Sequence, residues 1–210
     1  SFLNDREMRM DEATTERVLQ DSMFELDNLS AYLGKLKDMV CADERETLLR
    51  PSAFNLRELV EKVVRLTNIP AGKKVSFSTA FPPDMPDLTA DPVHVANVLS
   101  NLIENAIKYS GEEVNIDIVV LWNQQGVELT VSDNGFGIAP DERRKVFEKF
   151  YRSSHLPDKQ IPGIGLGLSY VRQIVEAHHG SVSLRSELGE GTRITINLQP
   201  YEIDIENTFR

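Results

Sequence analysis

Val114, Ile116, Ile118 and Val120 recur at every second position, and after a polar turn at 123–126 so do Val127, Leu129 and Val131. A period of two puts all seven side chains on one face of a β-hairpin. That face has to be buried, and the flanking sequence supplies the cover. Asp91-Pro92 is a strong helix start, and in the helix expected from there to about Tyr109, Val95, Val98, Leu102 and Ala106 fall on one side. A second helix is expected from about Leu168 to His179, stopped by Gly180, and a third over 55–68 with Asn55 at its cap. Strands are expected at 75–81, where Val75, Phe77, Thr79 and Phe81 alternate, and at 181–185 and 193–198. The order predicts an α+β fold, a two-layer sandwich of one mixed, mostly antiparallel sheet with helices on one face.

Residues 11–44 have a different character. Leu19, Leu26, Leu29, Leu33, Leu36 and Val40 recur at alternating three and four spacing, the seam of a coiled coil or helical hairpin. One helix cannot bury that seam, so a partner helix from upstream or from a second copy is expected; the alternative is an amphipathic helix lying on the following domain. The run 43–46 and Pro51 mark a boundary, giving a helical segment 1–46, a domain 51–200 and a tail 201–210. The net charge of −10 argues against binding nucleic acid or anionic lipid through a basic face. Cys41, the single cysteine, allows no internal disulfide. No apolar run reaches the roughly 18 residues of a membrane span, and a start at Ser1 rather than Met suggests a shortened chain.

Three segments carry candidate chemistry. On the helix of residues 92–109, Asn101, Asn105 and Lys108 lie together at spacings of four and three, away from the apolar face. Carboxamide oxygens suit a hard cation such as Mg²⁺, which keeps most of its waters, and the ammonium suits a phosphate; taken alone, the same three residues make an ordinary solvated face. Asp133-Asn134-Gly135-Phe136-Gly137-Ile138 places a carboxylate at a strand end before two glycines, where it can accept from an exocyclic amine. Gly163-Ile164-Gly165-Leu166-Gly167-Leu168-Ser169 opens a helix whose free amides suit phosphate. Its spacing is neither the dinucleotide fingerprint nor the phosphate loop that ends in Gly-Lys-Ser/Thr.

In this order the segments resemble the ATP-binding kinase domain of sensor histidine kinases, part of the ATPase group shared with DNA gyrase, MutL and a heat-shock chaperone. Residues 101–109 resemble the N box, 133–138 the first glycine box, 146–152 the F box, 163–169 the second glycine box, and Gly189-Glu190-Gly191-Thr192 the terminal Gly-x-Gly-Thr. The resemblance covers about residues 50–200. It implies ATP and Mg²⁺ as cofactors, with Asp133 reading the adenine amine and Ile138 and Thr192 lining that pocket. Asn105 would hold Mg²⁺, Lys108 a phosphate, and Tyr109 would close over the nucleotide. Asn101, Gly135, Gly137, Gly163, Gly165, Leu166, Gly167 and Leu168 would complete the site. Tyr151 to Pro162 would form a lid, with Arg152 and Lys159 within reach of the phosphates. Ile164 stands where many relatives carry a small hydroxyl residue, so its side chain is given no phosphate contact.

Where gyrase-like ATPases carry a Glu that activates water, this chain has Asn101, and an amide is no base at neutral pH. Glu104, three residues on, is read as a packing or surface residue. The resemblance therefore implies phosphoryl transfer to a protein histidine, relayed to a response regulator receiver domain; a nucleotide-sensing pseudokinase and a gyrase-type ATPase are the alternatives. Segment 1–46 would be part of the dimerisation hairpin of a homodimer. None of His94, His155, His178 and His179 matches the phosphoacceptor, which is expected upstream of Ser1. The implied location is the cytoplasm, as the cytoplasmic part of a bacterial inner-membrane sensor would be; no direct membrane contact is expected of this segment.

Overall fold

The computed structural model divides the chain into two units, Ser1–Glu46 and Thr47–Arg210, and describes residues 49–123, 126–155, 161 and 163–200. The expected helix of residues 11–44, Cys41, Lys159 and the tail 201–210 lie outside the described residues.

Five strands form the main sheet in the order β2-β4-β5-β7-β6: Lys74–Ala80 (β2), Glu113–Asn123 (β4), Gly126–Asp133 (β5), Gly191–Leu198 (β7) and Ser181–Glu187 (β6). β2 and β4 pair in parallel and the other pairs are antiparallel, so the sheet is mixed and mostly antiparallel as expected. Asn123 pairs with Gly126, which closes the predicted hairpin over a two-residue connection. Two short strands, Ser52–Phe54 (β1) and Leu88–Ala90 (β3), form a separate antiparallel pair that the sequence reading missed. Each has three residues, too few for a periodicity to register.

The helices are Leu56–Leu66 (α1), Pro92–Lys108 (α2) and Gly167–Ala177 (α3). The alternating residues of β4 and β5 are buried, together with Val95, Val98, Leu102 and Ala106 of α2 and Val171, Ile174 and Val175 of α3. These side chains form one core cluster between sheet and helices. Fully burying each Val, Leu or Ile contributes roughly 1.5–3 kcal/mol.

The helix ends place the site. Asn55 caps α1, its side chain accepting from the Glu58 amide at 3.0 Å. Asp91 caps α2, with Oδ1 accepting from the amides of Val93 (3.0 Å) and His94 (3.1 Å) and Oδ2 from that of Arg50 (2.7 Å). Burial pushes the Asp91 carboxyl up, but those amides outweigh it and hold it below the usual carboxylate range. At its other end α2 is met by Lys73, whose ammonium donates to the Ile107 carbonyl (2.5 Å) and the Ser110 carbonyl (2.8 Å). α3 ends at Ala177, two residues before the expected His179. His179, at φ 55°, takes the left-handed position, donating to Glu176 O at 2.9 Å while Gly180 donates to Val175 O at 2.8 Å. Gly180 is needed for space: a Cβ there would lie 2.0 Å from the Asn197 carbonyl. His178 is fully buried, accepting the Asp91 amide at Nε2 (3.1 Å) and donating from Nδ1 to Ile174 O (2.8 Å). It packs as a neutral ring that ties the end of α3 to the start of α2, and does not serve as a helix-end charge.

Candidate nucleotide site

The last two turns of α2 carry Asn101, Asn105 and Lys108, and α2's packing on the sheet fixes their direction. Asn101 is buried and its Nδ2 donates to the Asn97 carbonyl one turn back, at 2.8 Å. Its Oδ1 is thereby turned toward α3. A Cβ placed on Gly167 would stand 3.0 Å from that oxygen and 3.6 Å from Asn105 Nδ2. A Cβ on Gly163 would stand 2.1 Å from Lys108 Nζ. These two glycines are what lets the second glycine-rich segment close on the polar face of α2. The Lys108 ammonium also lies 4.9 Å from the centre of the Tyr109 ring. Glu104 is exposed, as a surface residue should be.

α3 opens at this point. Its N-cap residue, Leu166, has no polar side chain and makes no side-chain cap, while its carbonyl accepts from the Tyr170 amide (3.0 Å) and the Ser169 hydroxyl (2.9 Å). The first amides of α3, with the positive end of its dipole, stand on the side of Asn101 and Asn105, which Gly167 faces. Leu166 is buried, whereas Ile164 is 39% exposed.

At the end of β5, Asp133 Oδ1 accepts from the amides of Gly135 (2.8 Å) and Thr192 (3.1 Å). Burial pushes the Asp133 carboxyl up, partly offset by those two amides. Oδ2 has no hydrogen-bond partner among the described residues, which leaves it available to an amine donor. The Phe136 amide donates to Tyr109 O at 2.8 Å, joining the first glycine segment to α2. The Ile138 amide donates to Ser186 Oγ (2.8 Å), and that hydroxyl also meets Thr192 Oγ1 (2.9 Å) and donates to Gly191 O (2.7 Å). Ser186 thus binds two predicted pocket residues together. The sequence reading passed over it, and only its registry opposite Thr192 would have drawn attention to it. A cavity of about 400 Å³, lined by Asp133, Ser186, Thr192, Arg143 and Arg193 among others, opens here.

The F-box segment closes on the same loop. Phe150 holds φ at 66° and is 64% exposed, and its amide donates to Gly165 O at 2.9 Å. Arg152 donates to Ile161 O at 2.5 Å. Burial pushes the Tyr109 hydroxyl up, and the Arg152 charge partly offsets this. The Tyr151 hydroxyl is occupied by Glu142 at 3.0 Å. The contacts form two groups: α2 with residues 163–167, which the Phe150 amide joins through Gly165 O, and Asp133 with Thr192, Ser186 and Ile138. The Phe136 amide on Tyr109 O links the two groups, and no residue of α2 or of 163–169 lines the cavity at Asp133. Among the described residues no three His, Cys, Asp or Glu side chains gather as a metal cage. The oxygens on offer, from Asn101 and Asn105, suit a cation that keeps its waters and phosphate ligands.

Residues 90–202 match the family model of histidine kinase-, DNA gyrase B-, and HSP90-like ATPases. The chain belongs to this family. Its similarity runs to sensor histidine kinases in particular. It is 34% identical over 200 residues to the sensor protein RprX of Bacteroides fragilis, covering 93% of this chain and 35% of that one. It is 30% identical over 201 residues to the adaptive-response sensory kinase SasA of a Synechococcus strain, covering 94% and 52%. Full-length ShkA, solved in complex with AMPPNP, shares the fold at a TM-score of 0.76 and 22% identity, over 97% of this chain and 41% of that one. The chain spans about a third to a half of the length of these curated relatives. It carries a catalytic ATP-binding domain of the histidine kinase type.

Proposed function

We propose that this domain binds ATP with Mg²⁺ and passes the γ-phosphoryl group to a histidine of a dimerisation hairpin, for relay to an aspartate of a response regulator receiver domain. The observation that carries the reading is the closure of Gly163 and Gly167 on Lys108, Asn101 and Asn105, with the amides of α3 alongside. Asp133 Oδ2 accepts the adenine amine, and Ile138 and Thr192 line the ring pocket. Lys108, Arg152 and the α3 amides hold the phosphates. Asn105 lends its oxygen to Mg²⁺, with Asn101 beside it; the cation would neutralise phosphate charge. Phosphoryl transfer asks the protein for little beyond such placement and neutralisation.

Transfer is favoured over hydrolysis because the residue in the water-activating position is an amide whose nitrogen is committed to Asn97 O. In the functional assembly we place a homodimer built through segment 1–46, on the cytoplasmic side. The test is to incubate the 210-residue chain with labelled ATP and a separately supplied hairpin that contains the acceptor histidine. Acid-labile, alkali-stable label on the hairpin is expected. Its absence, or rapid release of inorganic phosphate that depends on Asn101, would overturn the kinase reading.

A further inference from the structure

Between the first glycine segment and the F box, Glu142 is 1% exposed, a carboxylate inside a domain whose other buried positions are mostly apolar. Its Oε1 accepts from the Tyr151 hydroxyl (3.0 Å), the Ser154 amide (2.9 Å) and the Ser154 hydroxyl (3.0 Å). Its Oε2 accepts from the Ser153 hydroxyl, and His155 Nδ1 lies 3.2 Å from Oε1. All of these side-chain partners come from the five residues 151–155, which form neither helix nor strand. Burying a charge costs several kcal/mol, and for stability alone an apolar side chain of similar size is often as good. What an apolar side chain could not do is collect five donors from an irregular segment and hold them in one arrangement.

That segment matters because of its two ends. Gly165 packs on the Tyr151 carbonyl, where a Cβ would lie only 2.5 Å away, so the turn abuts the second glycine segment. Arg152, the next residue, reaches across to Ile161 O, and on the other side of Tyr151 the Phe150 amide donates to Gly165 O at 2.9 Å.

We propose that Glu142 is a positioning residue for the nucleotide: its carboxylate fixes the 151–155 turn and thereby sets where Tyr151 and Arg152 stand at the phosphate end of the site. The proposal rests on the nucleotide-binding reading above. Glu142 itself touches no substrate; it acts through the turn.

The test uses the whole 210-residue chain, AMPPNP and Mg²⁺. Glu142→Gln keeps the volume but removes the charge and one acceptor oxygen, and it turns an NH₂ toward the donors. The expected result is a rise in Kd of about tenfold. Hydrogen-exchange protection of the Ser154 amide should be lost while that of β4, β5 and α2 is retained, a pattern that a general loss of stability would not give. Glu142→Asp, which keeps the charge but falls short, should lie between the two. If Glu142→Gln does not fold, the double variant Ser153→Ala, Ser154→Ala removes donors from the half-exposed side, and the same direction of change is expected. Asp133→Asn serves as the control. A folded Glu142 or Ser153/Ser154 variant that binds AMPPNP like the parent, while Asp133→Asn binds poorly, overturns the role of Glu142 and leaves the nucleotide reading intact. Parent-like binding by Asp133→Asn overturns both.

Discussion

Lys73 lies far from α2 in sequence, yet it closes the C-terminal end of that helix, so its replacement by methionine is an informative perturbation. The ammonium donates to Ile107 O at 2.5 Å and Ser110 O at 2.8 Å, with Ser110 Oγ at 3.4 Å. Ile107 O keeps a second partner in the Ser110 hydroxyl at 2.8 Å, but Ser110 is only 4% exposed and its own carbonyl would be poorly served by water. A hydrogen bond to a charged group contributes about 1.5–3 kcal/mol, and a cation at a helix C-terminus about 0.3–1. Against these stands the desolvation of the ammonium, which lowers the Lys73 pKa and is relieved on substitution. Methionine keeps most of the stem. The expected net loss for Lys73→Met is about 2 kcal/mol, or about 4–8 °C in Tm for a domain of this size. Urea unfolding followed by circular dichroism measures it. Because Lys108 and Tyr109 occupy the turn that Lys73 closes, AMPPNP affinity should also fall, by about threefold or more. An unfolding midpoint within about 0.5 kcal/mol of the parent, the usual spread for neutral surface changes, would refute the capping argument.

Asp133→Asn should weaken ATP binding by about 10- to 100-fold, the loss of one charged hydrogen bond, as read by calorimetric titration. Its effect on the nucleotide-free domain should have the opposite sign. Burial raises the Asp133 pKa, so ionising it costs the fold stability as pH rises from the unfolded value through the folded one; the amide escapes that cost, and the apo variant should be at least as stable as the parent at pH 7. His178 gives a second pH dependence. Burial lowers its folded pKa below 6.5, so its contribution is complete above pH 6.5 and is lost as pH falls below it, by at most about 1.4 kcal/mol per pH unit. Urea unfolding at pH 7.5 and 5.5 should therefore show a larger drop for the parent than for His178→Gln, and equal drops would refute the buried-neutral assignment.

The hairpin and its cover were legible because their signals are local. Seven alternating apolar residues span β4 and β5, and the apolar stripe of α2 recurs at helical spacing. Capping by Asn55 and Asp91 was legible for the same reason, since each side chain bonds amides two or three residues on. The candidate site was legible as composition in order: amides, a carboxylate and glycines, segment by segment. Gly180 shows the limit. As the stop of a helix it was legible, but the left-handed position belongs to His179, and Gly180 is there because β7 passes too close for a side chain.

The sequence by itself determined the five strands of the main sheet and its three helices, that one sheet face is covered by helices, and which residue types are available for a nucleotide, but not the short pair β1 and β3. Those properties depend on neighbours a few positions apart. Only the tertiary structure decided that Lys73 closes α2, that His178 joins α3 to Asp91, that Ser186 ties Ile138 to Thr192, and that Glu142 gathers the 151–155 turn. Each of these is a polar group whose partner is set by which elements meet. Burial makes an unmatched polar group costly, so the fold selects these pairs, and no periodicity along the chain announces them.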